Sequence, residues 1–238
     1  MPYNAPVRSP PTTKVFHEAG QRLTLYDYGT HHELMFGKVP ILTSAALGTE
    51  KDFGALARRR ESKTPARVLI GGLGFGATLA SVLDVSAKDA EVIVVEKLKT
   101  VIDLVKGQLS HLSPGVLDDP RTRLIHDDVV KVIEREHDLD VILLDVDNGP
   151  DWASFRTNSR LYGDRGLRTA WKALRAGGTY AVWSGYPADG FLKHLRRVGF
   201  VASTIPFYER RKLQARAYVG RKHVNTTLVS KRTKANLG

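Results

Sequence analysis

Short apolar runs alternate with amphipathic segments through most of the chain beyond Arg67. The apolar runs are RVLIGG, EVIVVE, RTRLIHDD and DVILLDV. Near-continuous Val, Ile and Leu runs of this length are typical of strands that are buried on both faces of a parallel sheet. The intervening segments, among them KTVIDLVKGQL and VVKVIERE, have the spacing of helices with one apolar face. The pattern therefore predicts a doubly wound α/β fold, with a mostly parallel sheet and helices on both of its faces.

The segments that flank this region predict smaller elements. Residues 1–20 are rich in proline and polar residues and are expected to form an arm. QRLTLYDYG and HHELMFG are short alternating runs around Gly29-Thr30, which is the pattern of a β-hairpin. TEKDFGALARRR has helical spacing. We therefore expect an arm over 1–20, the hairpin and a helix over 21–62, and the main domain over 63–238.

The C-terminal part predicts helices and closing strands. GLRTAWKALRAGGTYAVWS reads as a helix, a turn at Gly177-Gly178 and a strand, and GFLKHLRRVGF reads as a further helix. STIPFYER and KHVNTTLVSKR are the predicted closing strands. The group Trp183-Ser184-Gly185-Tyr186 follows a strand end and is the aromatic cluster best placed to line a pocket.

Composition narrows the class of protein. The chain has 42% hydrophobic and 26% charged residues, which is ordinary for a globular protein. No stretch approaches the roughly 18 apolar residues of a membrane span, and the first residues do not resemble a signal peptide. We therefore expect a cytoplasmic protein that does not bind membranes. The absence of cysteine excludes disulfides, thiolate nucleophiles and cysteine zinc sites, and no metal site is expected.

The net charge of +11 would attract anionic partners. The basic residues are scattered along the chain rather than interleaved with aromatic residues, so nucleic-acid binding is a disfavoured alternative. The segment RRKLQARAYVGRKH is the feature that would support it. A small-molecule acceptor, either anionic or an amine, is the favoured partner.

The strongest motif is a glycine-rich loop between a predicted strand and a predicted helix. Gly71, Gly72, Gly74 and Gly76 lie there. Glycines in this position allow a tight turn and leave room for a nucleoside against the helix N-terminus, as in Rossmann-like folds. Glu96 ends the next strand, 20 residues beyond Gly76, where a carboxylate can accept hydrogen bonds from ribose hydroxyls.

Carboxylates follow the next two strands as well. Asp127 and Asp128 end the third strand, and Asp145 and Asp147 follow the fourth. The carboxyl ends of parallel strands line one crevice, so these side chains are expected to meet the nucleoside bound at the glycine loop. Asp128 could equally cap the following helix, and turn chemistry alone could explain Asp145 to Pro150.

Taken together, these motifs resemble the spermidine synthase family, within the class of S-adenosylmethionine-dependent methyltransferase folds. The resemblance covers roughly residues 20–200, from the hairpin through IGGLGFG, VIVVEK, LLDVDNGP and LYGDRGLRTAWKALRAGGTYAVWS. It implies that Glu96 holds the ribose, that Asp128 holds the adenine amine, and that Asp145 faces the acceptor. It also implies a homodimer.

Departures from the family's pattern favour methyl transfer over aminopropyl transfer. Gly74 occupies the place where polyamine synthases usually carry an acidic residue, the segment after the fourth strand is shorter, and the His-Glu pattern after the hairpin is replaced by ILTSAALGTEKDFGALA. A cationic diamine needs several carboxylates to offset its desolvation, and a chain of charge +11 with few of them is poorly suited to one.

We therefore expect S-adenosylmethionine as donor, a small molecule as methyl acceptor, and no metal. Asp145 would manage the proton of the acceptor, with Asp147 or Tyr162 positioning it. Three alternatives stay open at this point. They are an aminopropyltransferase that uses decarboxylated S-adenosylmethionine, a non-catalytic module that binds nucleic acid, and an enzyme that binds NAD.

Overall fold

The chain forms two units that divide between Leu47 and Gly48. The computed structural model describes residues 10–18, 20–45, 47–58, 65–146, 149–150 and 159–223. Because this boundary falls after Leu47, the helix predicted after the hairpin belongs to the second unit, whereas the sequence pattern grouped it with the hairpin. Within these described ranges, no helix is both long and apolar enough to span a membrane.

The first unit is a four-stranded antiparallel sheet in chain order. Its strands are β1 (Thr12–Glu18), β2 (Gln21–Asp27), β3 (His32–Phe36) and β4 (Val39–Thr43). The predicted hairpin is β2–β3, closed by the pair Asp27 and His32. Leu23, Leu25 and Leu34 are its buried hydrophobic residues. Residues 12–18, which were expected to lie in an arm, instead pair with β2 along their whole length.

The second unit alternates strands and helices. Its strands are β5 (Arg67–Gly71), β6 (Glu91–Glu96), β7 (Thr122–His126), β8 (Leu139–Leu144), β9 (Leu174–Ser184), β10 (Val201–Glu209) and β11 (Lys212–Arg221). Its helices are α1 (Gly48–Ala55), α2 (Ala77–Val85), α3 (Lys99–Lys106), α4 (Val129–Arg135), α5 (Ser159–Tyr162), α6 (Asp164–Ala173) and α7 (Gly190–Val198), with a 3₁₀ turn at Ser110–Leu112.

The seven strands form one sheet in the order β10-β11-β9-β8-β5-β6-β7. Strands β5 to β9 are parallel, and the hairpin β10–β11 adds antiparallel to β9. From β5 the chain proceeds outward to β6 and β7, then returns to place β8 on the other side of β5. Ligands in open α/β sheets bind at the carboxyl ends of the strands where this reversal occurs. The predicted fold class is confirmed, and the candidate site falls at the β5–β8 junction.

Side chains along each strand of the seven-stranded sheet point alternately to its two faces, and this determines which helices they contact. Ile142 and Leu144 of β8 and Tyr180 and Val182 of β9 join one core cluster with residues of α4, α6 and α7. Because side chains alternate along a strand, the intervening positions face the opposite layer. Helices α1 and α2 pack against each other, and Phe53 of α1 meets Phe207 of β10 edge to face at 6.5 Å.

The closing strands differ from the prediction. Strand β10 contains the predicted STIPFYER run except its last residue, Arg210, but its partner β11 is formed by Lys212–Arg221. The basic segment considered for nucleic-acid binding is therefore largely a strand of the sheet. KHVNTTLVSKR lies outside the described residues from Val224 onward. Strand β9 begins at Leu174 and runs through the predicted turn at Gly177-Gly178, with a register irregularity against β8.

Candidate functional site

The glycine loop is shaped first by the protein's own packing. Gly72 has a φ of +92°, and a Cβ there would lie 2.1 Å from the carbonyl oxygen of Asp145. A Cβ on Gly71 would meet Leu144 at 2.8 Å, and one on Gly76, at φ +88°, would meet Ser113 at 2.8 Å. These three glycines are therefore required for the close approach of β5 and α2 to their neighbours. Their presence alone does not indicate a nucleoside.

Gly74 lies at the turn of the loop with a φ of +52°, a left-handed conformation that favours glycine. The loop is closed by a hydrogen bond from the Gly76 backbone N–H to the Leu73 carbonyl at 2.9 Å, and Gly72 donates to Val95 at 2.8 Å. The four glycines predicted from the sequence thus form one rigid turn at the carboxyl end of β5. Contact between this turn and a donor stays a prediction.

The Glu96 carboxylate holds the glycine loop against the end of β6. Its Oε2 accepts the Leu73 backbone N–H at 2.9 Å, and its Oε1 accepts the N–H groups of Lys97 and Leu98 at 2.8 Å each. Glu96 is buried, with 9% of its surface exposed. The sequence placed Glu96 beside the loop, and the structure adds a function that the sequence did not indicate, since this carboxylate organises both the loop and the start of α3.

Asp127 and Asp128 follow β7, as the sequence predicted. Asp128 is the N-cap of α4 and accepts the backbone N–H of Val130 at 3.0 Å, so the capping alternative is correct for its side chain. Asp127 accepts the Asp128 backbone N–H at 2.8 Å, and this bond, with the charges of Lys131 and Arg135, lowers the pKa of Asp127. Recognition of adenine by either residue stays a prediction.

Asp145 lies at the β8 end of the same sheet edge. Its backbone N–H donates to Gly71 at 2.8 Å, which continues the β5–β8 ladder by one residue. Its side chain faces α2, where Oδ2 lies 2.8 Å from the hydroxyl of Thr78. Burial raises the pKa of Asp145 to about 6, and the Thr78 hydrogen bond opposes that shift by favouring the charged form. This carboxyl can therefore take or release a proton near neutral pH.

Glu50 is a residue of this site that the sequence did not indicate. It lies in the first turn of α1, and burial together with the charge of Asp145 raises the pKa of its carboxyl well above the ordinary range. The Thr78 hydroxyl also lies 3.3 Å from the Glu50 carbonyl oxygen, so its single proton can be given to either neighbour. An acidic residue in the first turn of a helix is ordinarily explained by its favourable interaction with the helix dipole. The sequence therefore gave no sign that Glu50 also lies near Asp145.

The position of Glu50 is fixed by close packing between α1 and α2. A Cβ on Gly54 would lie 2.5 Å from the Thr78 carbonyl oxygen and 2.7 Å from Cβ of Ser81. The Ser81 hydroxyl donates to the Lys51 carbonyl at 2.7 Å. Glycine at position 54 thus lets the two helix backbones approach until the first turn of α1 lies beside Asp145.

The other predicted acceptor residues are placed differently. Asp147 lies outside the described residues. Tyr162 is buried, and its ring packs edge to face on Phe191 at 5.9 Å, within the core cluster on the α4, α6 and α7 face. The predicted role of Tyr162 in positioning the acceptor stays a prediction.

Trp183 lies on the α1 and α2 face, as a neighbour of Asp145. Leu144 pairs with Val182 in the β8–β9 ladder, so the next residue of each strand, Asp145 and Trp183, share a face. The indole N–H of Trp183 is buried and has no hydrogen-bond partner among the described residues. Close by, a Cβ on Gly149 would lie 2.0 Å from the Ser184 hydroxyl, so only glycine fits where the chain after β8 passes the end of β9.

Metal-ligating side chains of the described residues do not cluster at this edge. Across the described ranges, no group of three or more His, Asp or Glu residues is arranged to hold a metal ion. The chemistry that the described residues can offer here is that of carboxyl, hydroxyl and indole groups.

Sequence comparison gives relatives among the polyamine aminopropyltransferases. The chain is 30% identical over 200 residues to a polyamine aminopropyltransferase of Korarchaeum cryptofilum, a match that covers 83% of this chain and 52% of that protein. It is 35% identical over 123 residues to polyamine aminopropyltransferase 2 of Pseudomonas aeruginosa, covering 50% of this chain and 33% of that protein. The chain thus spans about half the length of these relatives or less. No family model matches the sequence.

Comparison with solved structures supports the same fold. Spermidine synthase from Thermotoga maritima superposes with a TM-score of 0.69 at 16% identity, covering 91% of this chain and 73% of that chain. The predicted resemblance to the spermidine synthases is therefore confirmed for fold, and the sequence matches extend it to polyamine aminopropyltransferases.

The expectation of methyl transfer is wrong by these comparisons, because the matching relatives are aminopropyltransferases. The carboxylates that are evident in the sequence are those that follow the strands. Glu50 adds to them, because the fold brings it to the same edge from α1, a helix that precedes the glycine loop in the sequence.

Proposed function

We propose that the chain transfers an aminopropyl group from decarboxylated S-adenosylmethionine to an amine acceptor. The observation that carries this proposal is the similarity to a polyamine aminopropyltransferase over 200 residues, which cover 83% of this chain. The arrangement of carboxyl groups at the β5–β8 junction supports it, since both the donor and an amine acceptor are cations.

The donor would lie along the glycine loop. Gly74 presents backbone without a side chain at the turn, and the ribose hydroxyls would share the Glu96 carboxylate with the Leu73 N–H. Asp128, already fixed by its capping bond to Val130, is the candidate for the adenine amine. These groups fit a nucleoside because they are rigid polar acceptors at adjacent strand ends.

The reaction is a displacement at carbon. The amine nitrogen of the acceptor would attack the aminopropyl carbon that is bonded to the sulfonium, the new C–N bond forms, and the C–S bond breaks with its electron pair going to sulfur. The sulfonium thereby becomes the neutral thioether of methylthioadenosine. The donor is already activated, so the protein's task is alignment and proton management.

Asp145 is suited to accept the proton that the acceptor amine must lose. Only an uncharged amine has the lone pair that the displacement needs, so the acceptor must lose a proton before or during the attack. The Asp145 carboxyl, whose pKa is raised to about 6 by burial, can accept that proton at neutral pH and return it to solvent. Thr78 would hold Oδ2 in place while the other oxygen meets the amine.

Calorimetry tests the donor half of this proposal directly. Purified protein would be titrated with decarboxylated S-adenosylmethionine, with S-adenosylmethionine and with NAD under the same conditions. We expect the decarboxylated donor to bind most tightly, because no carboxylate of the ligand would then lie near Glu50 and Asp145. Tighter binding of S-adenosylmethionine or of NAD would contradict the proposal.

A further inference from the structure

Helices α6 and α7 lie on the same face of the sheet and carry a concentration of positive charge. Leu167 and Ala170 of α6 and Leu195 of α7 are buried in one core cluster, and the two helices pack against each other. Side chains three and four positions apart share a helix face, so the residues between these buried positions are directed outward. The exposed cations of the two helices, which we call the α6–α7 face, are Arg165, Arg168, Lys172, Lys193, Arg196 and Arg197.

One acidic residue, Asp164, accompanies these six cations on the two helices. Arg197 donates a hydrogen bond to Asp164, and the His194 ring lies 3.5 Å from the same carboxylate, so this acid is already engaged within the fold. An excess of like charge on one face repels itself and attracts anions. The cations that form no ion pair with any residue that the structure describes are Arg165, Lys172, Lys193 and Arg196.

The stability of the fold does not explain this excess of charge. Several arginines elsewhere in the second unit do stabilise it, since Arg67 and Arg123 each pair with Glu91 and Glu136 at the amino ends of the strands. Arg165, by contrast, lies in the first turn of α6, where the helix dipole disfavours a cation. A cation kept in an unfavourable place on an exposed face indicates a partner outside the chain.

The α6–α7 face offers a partner charge without apolar anchors. Among the described residues, none of the exposed large hydrophobic side chains belongs to α6 or α7. Protein interfaces and membrane-bound helices ordinarily bury apolar or aromatic side chains among the charges. Single-stranded nucleic acid is held by exposed aromatic rings, but Trp171 of α6 packs edge to face on Phe200 at 4.7 Å. Duplex nucleic acid fits this face best, because its charged phosphates lie on its outside.

The spacing of the cations favours a long polyanion over a small anion. Arg165, Arg168 and Lys172 follow one another along α6 and span about 10 Å at about 1.5 Å per residue. Double-stranded DNA carries one negative charge per about 1.7 Å of its axis, so about six charges lie within the same distance. A small anion would meet one or two of these cations, whereas a duplex would contact the whole row. Guanidinium groups also bind phosphate through two parallel hydrogen bonds.

The α6–α7 face ends at α4. A cleft of about 640 Å³ lies between α4 and α6, and it is lined by Arg165 and also by Glu134. The carboxylate of Glu134 would repel a phosphate. Contact with a duplex is therefore expected along α6 and α7 rather than across the cleft.

We propose that the α6–α7 face binds duplex nucleic acid through its phosphate backbone, without recognising its sequence. Contacts to phosphate position a protein on a duplex and carry no sequence information. None of the six cations belongs to the candidate functional site, so the proposal does not depend on aminopropyl transfer.

The double variant Arg165→Gln with Arg196→Gln tests this proposal, because it removes one unpaired cation from each helix and keeps polar side chains. The matched control is Arg210→Gln with Arg211→Gln, which removes the same charge from the exposed turn between β10 and β11. Lys172→Gln with Lys193→Gln is a second test variant, which serves if the first is unfolded. Thermal unfolding of each protein would verify that it is folded.

Binding would be measured by fluorescence anisotropy at several salt concentrations, without donor or acceptor. The probes are two labelled DNA duplexes of about 20 base pairs with unrelated sequences, and an RNA duplex of the same length. Labelled polyglutamate and vesicles that contain phosphatidylserine are the competing anionic partners.

We expect the wild type and the control to bind both DNA duplexes equally, and to bind the RNA duplex as well. Each test variant should bind the duplexes about fivefold or more weakly, and its slope of log K against log salt concentration should be shallower by about two. The proposal is overturned if the wild type binds no duplex, if it distinguishes the two DNA sequences, or if the control loses as much affinity as the test variants. Tighter binding of polyglutamate or of the vesicles than of any duplex would overturn it as well.

Discussion

The hydroxyl of Thr78 lies 2.8 Å from Oδ2 of Asp145, so the first turn of α2 is joined to the residue that follows β8. The contact links the helix after the glycine loop to the strand end that faces the proposed acceptor. Since the hydroxyl donates to the carboxylate, it favours the charged form of Asp145 against the effect of burial.

Thr78→Val should raise the pKa of Asp145 further above about 6, because the valine side chain has the same shape and cannot donate. If deprotonated Asp145 is required for turnover, the acidic limb of the pH profile of kcat should move to higher pH. Loss of the hydrogen bond should also lower the free energy of unfolding by about 1 kcal/mol. An unchanged acidic limb in a folded variant would remove Asp145 from the proton step.

Asp145→Asn should slow turnover severely and stabilise the fold above neutral pH. A carboxyl whose pKa is raised in the folded chain binds its proton more tightly there than in the unfolded chain. The free energy of unfolding contributed by this group is therefore highest at low pH and falls as the pH rises through about 6. A rise of about two pKa units corresponds to about 3 kcal/mol.

The measurement for that variant is denaturant unfolding at pH 5 and at pH 8, with the wild type in parallel. The introduced asparagine side chain would keep an oxygen that can accept from Thr78 and would carry no charge, so the gain should appear at pH 8 and shrink at pH 5. A variant that is less stable than the wild type at pH 8 would show that other interactions in the folded chain offset the cost of burying the charged Asp145 carboxylate.

The fold was predictable wherever burial leaves a pattern in the sequence. Strands β5, β6 and β8 are buried on both faces and read as continuous apolar runs, and Glu96 followed from its place at a strand end. Strands β1 and β11 were not predicted because their pairing depends on partners that are distant from any local signal. In β1 most residues are exposed, and the first three residues of β11, within a basic segment, are exposed as well.

The candidate site was predictable in part for the same reason. Asp145 and Glu96 lie at strand ends whose common edge follows from the fold class. Glu50 did not follow, because its approach to Asp145 depends on how α1 packs against α2 through Gly54. The sequence around Gly54 gives no local sign that the carbonyl oxygen of Thr78 lies 2.5 Å from the position that a Cβ would take there.

Gly54→Ala should therefore lower both stability and activity. The added Cβ meets the backbone oxygen of Thr78 as well as Ser81, so α1 must shift away from α2. Overpacking of this kind costs about 1–3 kcal/mol. The shift of α1 should also disturb Thr78, whose hydroxyl contacts both the Glu50 carbonyl and Asp145, and so lower turnover. Gly48→Ala, in the same helix and with open space at its Cβ, is the control and should be nearly neutral.

Glu96→Gln should weaken donor binding by about 1–3 kcal/mol, measured by calorimetry. The glutamine amide has one acceptor oxygen, so one of the backbone N–H groups at Leu73, Lys97 or Leu98 would face an NH₂ group and the glycine loop would lose its anchor. Glu91→Gln, at the opposite end of β6 in a pair with Arg67, should alter stability without altering donor affinity. Equal donor affinity in Glu96→Gln and the wild type would remove Glu96 from the donor site.

Product analysis tests the central claim most directly. The purified chain would be incubated with putrescine and either decarboxylated S-adenosylmethionine or S-adenosylmethionine, and the products would be identified by mass spectrometry. The account predicts a product that is heavier by one aminopropyl unit, together with methylthioadenosine, only with the decarboxylated donor. A methylated amine formed from S-adenosylmethionine, or no product from the decarboxylated donor with any amine tested, would contradict it.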